Sequence, residues 1–411
     1  MRLNLKFEKI MPFVTLTGLV FFGMGLLLFP ADTSKSCVNG INLCINGVFP
    51  SLFPFFVVSS MLISSGAITR AAQLFAPLGK ALFGISGEGF SAFLMGISGG
   101  YPVGVRSAVQ LYEEGKIGKA ECQRLLLFCN NSGPAFILGI VGVGLLGNVR
   151  LGVVLYGAHI LSAVLVGILV NKLSREQFEM TTLPGVHKDK VSREQFGFVT
   201  AFISSVTGAM NAMLNVCGFV IFFGVFVTVL HKSGIITNIS ALITAVLGDY
   251  LAEKGLLDGI IAGVFELTGG ISALSGANTQ DSVITSGFLL GWAGLSVHFQ
   301  ALAFISRAKL ASKGYFLAKL TQGGLSSALL WLYFRLFPMS QGVFGCDYPY
   351  YYGLDPEMYA GFLRGNLILT GFFMVLCLIL YSSIVFYHKI RYNRNNDKNG
   401  RSENICFTEK G

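Results

Sequence analysis

Long apolar runs, separated by short polar or charged stretches, dominate the chain. Many of them reach the roughly 20 residues that an α-helix needs to cross a bilayer. The pattern therefore predicts an all-α polytopic membrane protein rather than a soluble fold. It predicts about eight transmembrane helices, with these bounds: 11–30, 44–66, 117–148, 151–171, 198–231, 282–306, 315–337 and 365–388.

Two further apolar regions are interrupted in the middle and fit no full crossing. Each consists of a short apolar arm, a Gly-Gly break and a second short arm, at 88–115 and at 256–281. This pattern is typical of a re-entrant hairpin, whose turn is tolerated at membrane depth only where protein or water surrounds it. The hairpin tips are predicted at two glycine pairs: Gly99 and Gly100, and Gly269 and Gly270.

The two hairpins belong to a larger repeated pattern. "GISGGYP" at 96–102 and "ELTGGIS" at 266–272 hold the same place within their halves of the chain. Each half runs from a span with polar residues to a surface helix, the hairpin, an uncharged segment with a polar centre and a final span. The first half starts outside and the second inside, so the pattern predicts an inverted repeat, as in many secondary transporters.

These features divide the chain into six parts. The predicted boundaries are an N-terminal span and external loop at 1–43, a first repeat at 44–171, a cytoplasmic linker at 172–197, a second, inverted repeat at 198–337, an external loop and last span at 338–388, and a basic cytoplasmic tail at 389–411.

An unusual polar motif, "NNSGP", interrupts the apolar run 126–139 in the first half. Proline removes one helical hydrogen bond and glycine weakens the helix. The freed carbonyl groups can face a ligand, and the polar side chains add donors and acceptors without charge. A structural kink repaired by neighbouring side chains is the alternative. The candidate solute-binding residues here are Asn130, Asn131 and Ser132.

The matching segment of the second half, 291–304, contributes Ser296, His298 and Gln300 as candidate solute-binding residues. A histidine within a membrane span is a functional candidate, and it can carry a proton near neutral pH. A packing histidine bonded to a neighbouring helix is the alternative. Glu266, next to the second Gly-Gly pair, is a carboxylate in an apolar hairpin that would pair, bind a cation or carry a proton.

Composition agrees with a membrane protein and gives it an orientation. Hydrophobic residues make up 53% of the chain and charged residues 12%, about half the charge of a soluble domain. With both termini in the cytoplasm, 24 of the 30 basic residues lie on that side, including those of the segment 307–319. Basic residues favour cytoplasmic loops, so the net charge of +9 requires no nucleic acid.

The sequence contains no motif for a cofactor, a metal or a catalytic pair, so we expect neither an enzyme nor a bound metal. The eight cysteines show no zinc spacing. Cys37, Cys44 and Cys346 fall in or near predicted external segments, which leaves a disulfide among them open.

Several motifs in combination resemble the sporulation integral membrane protein family of the YlbJ type. They are "FPSLFPFFVVSSMLISSG", "GISGGYPVG", "LLLFCNNSGPAFILG", "ELTGGI" and "AGLSVHFQ". The resemblance implies Gate, or nucleoside-recognition, domains like those of concentrative nucleoside transporters. It also implies a role in spore cortex formation and heat resistance, in the mother-cell or forespore-surrounding membrane. The acidic residues that nucleoside transporters place in both broken helices are missing here, so their nucleoside and sodium sites do not transfer.

Two functional hypotheses follow. The first is a secondary transporter in the lipid bilayer that moves a small solute, coupled to H⁺ or Na⁺, in a chain that could form a homo-oligomer. The second is a membrane scaffold that recruits cortex or coat assembly factors through the segments 172–197 or 389–411. The scaffold hypothesis predicts that the polar centres tolerate alanine, whereas the transporter hypothesis predicts that they do not.

Overall fold

A computed structural model describes residues 2–64, 74–174, 198–248, 256–275 and 280–337. These residues form helices and short connections, and no strand occurs among them. Three described helices are long and apolar enough to cross a membrane, or up to five spans if each of two bent helix pairs counts as one. The all-helical, multi-pass class is confirmed, whereas the count of eight stays a prediction. The last predicted span, 365–388, lies outside the described residues.

The N-terminal part is helical throughout and corrects one sequence prediction. Helix α1 (Arg2–Leu28) is followed by α2 (Pro30–Leu43), a π-helical turn (Cys44–Val48) and α3 (Phe49–Ser64). The segment predicted as an external loop is therefore α2. Its start has a physical cause, since proline is preorganised for a first helical position and an acidic residue in the first turn complements the helix dipole.

The region of the first predicted hairpin consists of two helices joined by a tight turn. Helix α4 (Leu74–Phe83) leads to α5 (Gly87–Gly99), and α6 (Val103–Glu113) packs against α5. Ser86 begins α5 because its side-chain oxygen accepts a hydrogen bond from the Gly89 amide at 3.1 Å, which satisfies a free N–H of the first turn. The hairpin turn is residues 100–102.

The region predicted as one span at 117–148 is two helices with an unwound stretch between them. We call it the first broken segment. It consists of α7 (Lys119–Leu125), residues 126–134, and a π-helix (Ala135–Leu145). Proline and glycine in "NNSGP" explain the interruption, because the chain there has neither the donors nor the stiffness of a continuous helix. Helix α8 (Val149–Ser174) then returns as an unbroken span.

The second half repeats this order. Helix α9 (Phe198–Lys232) leads to α10 (Ile235–Leu247). The second hairpin is α11 (Leu257–Phe265) and α12 (Leu267–Ser275), and the second broken segment is α13 (Gln280–Trp292) and α14 (Gly294–Arg307), with the break at Ala293. Helix α15 (Tyr315–Leu336) closes the described part.

Contacts between the halves are reciprocal. The second arm of the second hairpin, α12, packs against the π-helix of the first half, and the second arm of the first hairpin, α6, packs against α14 of the second half. The closing helices α8 and α15 also pack against each other. One large hydrophobic core includes residues from both halves. This packing places the two broken segments and the two hairpins around a common centre.

Candidate functional site

The turn of the first hairpin lies directly against the first broken segment. A Cβ added to Gly100 would come within 2.8 Å of the Gly133 amide nitrogen. Gly100 also has a φ of 82°, a conformation that favours glycine. A side chain at this position would separate the two interruptions, so glycine here is required by a close approach of two backbones.

The second half shows the same arrangement. A Cβ added to Gly294, next to the break in the second broken segment, would lie 3.0 Å from the amide nitrogen of Leu267 at the second hairpin. The Trp292 indole N–H also donates to the carbonyl oxygen of Val264 at 3.1 Å. Each hairpin turn therefore packs on the broken segment of its own half.

A tyrosine joins these two pairs to each other. Tyr101, in the first hairpin turn, donates its hydroxyl hydrogen to the carbonyl oxygen of Leu290, three residues before the break at Ala293. All four helix interruptions therefore converge in one region of the protein.

The centre of this region contains a buried lysine. Lys319, in the second turn of α15, is 0% exposed. Its ammonium donates to the main-chain carbonyl oxygen of Asn130 at 2.7 Å and to the Gln322 side-chain oxygen at 2.6 Å. The Gln322 amide in turn donates to the Asn131 side-chain oxygen at 2.8 Å. These bonds tie α15 to the unwound stretch of the first broken segment.

A buried histidine holds the same stretch from α8. The main-chain N–H of Ser132 donates to His159 Nε2 at 2.9 Å. An imidazole nitrogen that accepts a hydrogen bond carries no proton, so in the neutral ring the proton is on Nδ1. His159 Nδ1 is buried and has no hydrogen-bond partner among the described residues.

His298 lies in an aromatic surround. Its ring centroid is 4.5 Å from that of Trp292, 4.9 Å from that of Phe316 and 5.4 Å from that of Tyr315. Neither ring nitrogen has a hydrogen-bond partner in the described part of the chain. The Asn130 side-chain amide donates to the Tyr315 hydroxyl at 2.7 Å. Tyr315 therefore connects His298 to the "NNSGP" stretch.

The other predicted site residues differ in their surroundings. Ser296 and Gln300 are buried on α14. Glu266 is the turn of the second hairpin, and its carboxylate accepts from the main-chain N–H groups of Thr268 at 3.0 Å and Gly269 at 2.6 Å. It thus caps the N-terminus of α12, where a carboxylate complements the helix dipole.

The two glycine pairs predicted at the hairpin tips differ in their position relative to the turns. Gly99 ends α5 and Gly100 begins the first turn. Gly269 and Gly270 lie within α12 instead of at the turn itself. A Cβ on Gly270 would collide with the backbone of Gly263, so this glycine lets the two arms of the second hairpin pack closely.

Sequence reasoning missed several central residues. It counted Lys319 among the basic residues of a cytoplasmic segment, whereas the side chain is buried within α15. Tyr101, Gln322 and His159 were not singled out either. One signal was present, since Lys319 and Gln322 are three apart and so share a helix face. Their contact with "NNSGP" is long-range and has no local sequence pattern.

The structure also describes the cysteines and the possible metal ligands considered in the sequence. Cys37 and Cys44 are free, Cys44 is buried, and Cys346 lies outside the described residues. Within the described ranges, no group of three or more His, Cys, Asp or Glu side chains could hold a metal ion.

A groove of 510 Å³ between α10 and α11, lined by Thr237, Ser240, Thr244 and Asp258 among others, is separate from the polar centre.

Comparison with known proteins bears on this geometry. Residues 45–212 match the Gate family model, described as nucleoside recognition. The chain is similar to a sporulation membrane protein. This relative is the sporulation integral membrane protein YlbJ of Bacillus subtilis (strain 168), which is 27% identical over 407 residues, covering 94% of this chain and 98% of that protein. No solved structure matches. The resemblance drawn from the sequence motifs is confirmed, and the Gate match includes the first hairpin and the first broken segment.

Proposed function

We propose that this chain is a sporulation membrane protein that moves a small solute across the bilayer. The observation that carries the proposal is the convergence of four helix interruptions on one buried polar centre. Interruptions at membrane depth are tolerated where they are buried in protein or line a cavity, and discontinuous helices form the solute sites of many secondary transporters. The similarity to YlbJ and to the Gate model supports the same class.

The solute site we propose is the region between "NNSGP" and His298. Asn130 Oδ1 and both ring nitrogens of His298 are buried without a hydrogen-bond partner in the described ranges. Buried polar atoms are nearly always satisfied by protein, water or ligand. A solute with polar groups would satisfy them. Ser132, Ser296 and Gln300 lie on the same two broken segments and would complete the lining.

The transport step we propose is a rocking of the two halves, which are inverted copies of one unit, around this centre. The hairpin turns at Gly100 and Glu266 would open and close access from opposite sides. Glu266 would serve as a structural cap in this cycle, because its carboxylate is engaged by its own helix. Both termini would lie in the cytoplasm, and the protein would act in the membrane around the forespore in cortex formation and heat resistance.

Sporulation provides the test of this function. Expression of the chain in B. subtilis cells that lack YlbJ should restore heat-resistant spores. The double variant Asn131→Ala and His298→Ala should lose this ability, while the control Thr207→Ala, on the exposed face of α9, should keep it. Heat-resistant spores from the double variant at normal protein level would contradict a solute site here. Loss of function only on removal of 389–411 would instead favour the scaffold hypothesis.

A further inference from the structure

The buried ammonium of Lys319 occupies a position with the chemistry of a cation site. It is bonded to a main-chain carbonyl oxygen freed by the helix break and to an amide oxygen. Unwound carbonyl groups and the C-terminal ends of half-helices are the groups that bind the coupling cation in transporters with broken helices.

The ammonium has no carboxylate partner among the described residues, since the ion pairs found there involve other side chains. The ammonium nitrogen also lies 5.6 Å from the centroid of the Tyr101 ring, at the first hairpin turn. A buried charge is costly unless hydrogen bonds and nearby dipoles satisfy it. Carbonyl oxygen, amide oxygen and aromatic face together supply this environment, and they come from three different elements.

We propose that the Lys319 ammonium is the resident cation of this centre, in the place of a free coupling cation, and that loss of its proton releases α15 from the first broken segment. The released proton passes to water on the side to which the centre is open. The electron pair of the broken N–H bond stays on the nitrogen as a lone pair, and the neutral amine loses the charge that holds the freed carbonyl group. A role for this deprotonation in the rocking cycle rests on the proposed function. In that role it makes transport coupled to protons and independent of sodium.

Other titratable groups face Lys319 from each element packed around it. They are His159 of α8, His298 of α14, Cys129 of the first broken segment, Tyr101 of the first turn and Tyr315 of its own helix. None of these is a carboxylate. On α13, which packs along α15, the one charged residue is Asp281, in the first turn, at the end of the helix opposite the break. Lys319 is thus the cation on which the charge of the centre depends.

Thermal unfolding of the purified full chain tests the first part without any transport measurement. The wild-type protein should have the same Tm in sodium chloride and in choline chloride at equal concentration. Lys319→Ala should have a lower Tm in choline, and sodium should raise it by about 2 °C or more, because the freed oxygens then bind the ion. Lys35→Ala, on the exposed face of α2, is the matched control and should behave as the wild type. Specific stabilisation of the wild-type protein by sodium, or a folded Lys319→Ala protein that is indifferent to it, would overturn the proposal.

Hydrogen exchange tests the second part and does not depend on a variant that removes the side chain. After correction for the intrinsic rate, the amides of residues 126–133 in the wild-type protein should lose protection as the pH is raised. Lys319→Arg keeps its charge at all these pH values and should stay protected. Protection that is independent of pH in the wild-type protein would overturn the role of the proton. Because both readouts use isolated protein, they stand or fall separately from the sporulation test.

Discussion

At the scale of the residue, the polar centre depends on a few side chains that satisfy one another across long distances in the sequence. Gln322 is the clearest case, since it accepts from the Lys319 ammonium and donates to the Asn131 side chain. Removing one member of such a network leaves its buried partners unpaired, which costs more than the bond itself contributes. The centre is therefore expected to respond sharply to substitutions that change no exposed surface.

We expect Gln322→Ala to lower the stability of the protein by about 1–2 kcal/mol. Its neighbour on the same helix, Thr321, is half-buried, and its hydroxyl donates to the carbonyl oxygen of Leu317 within its own helix. Thr321→Ala should therefore leave the unfolding temperature nearly unchanged. Denaturation of both variants beside the wild-type protein checks this, and equal effects of the two substitutions would argue against the network.

At the scale of the element, glycine determines how closely the broken helices and the hairpins approach. Gly96 and Gly104, one on each arm of the first hairpin, both lie against the carbonyl oxygen of Cys129, where a Cβ would collide with it. The composition of the hairpin indicates an interruption but not this contact. The position of the first turn was predictable from the Gly-Gly break. The position of the second turn was not, because Glu266 caps α12 before the glycine pair.

Gly104→Ala tests this close packing. The added methyl group would be forced into the Cys129 carbonyl oxygen, and overpacking of this kind costs about 1–3 kcal/mol. Gly157→Ala, on α8, has no atom within 4 Å of the new Cβ and is the matched control. Protein yield and Tm should fall for the first variant and stay at the wild-type level for the second. A tolerant Gly104 position would mean that the hairpin and the broken segment lie farther apart.

At the scale of the whole molecule, the two halves share one order of elements, and their contacts are reciprocal. Each hairpin packs on its own broken segment, and each second arm packs on the opposite half. The shared order of elements is one part of the predicted inverted repeat, and the opposite orientation of the two halves stays a prediction. Whether the halves are oriented oppositely in the bilayer is a matter of topology, which the surface helices α4 and α10 allow to be tested.

Single cysteines on these two helices should label from opposite sides of the membrane. Lys80 on α4 and Thr237 on α10 are both exposed. In the predicted topology, Lys80→Cys faces the cytoplasm and Thr237→Cys the outside. A membrane-impermeant thiol reagent applied to intact cells should therefore modify only the second variant, above the background of the unsubstituted chain. Modification of both from outside would contradict the inverted repeat.

Local composition by itself determined the class of this protein, the two interruptions in the hairpins and the polar break at "NNSGP". These are consequences of apolar run length, of glycine and proline, and of charge, all of which act within a few residues. Only the tertiary structure decided that the interruptions meet and that Lys319 lies among them. From the sequence alone, a lysine near the start of a helix is predicted to lie in a loop or at the membrane interface. The burial of Lys319 depends on the main-chain carbonyl oxygen of Asn130, which is far away in the sequence.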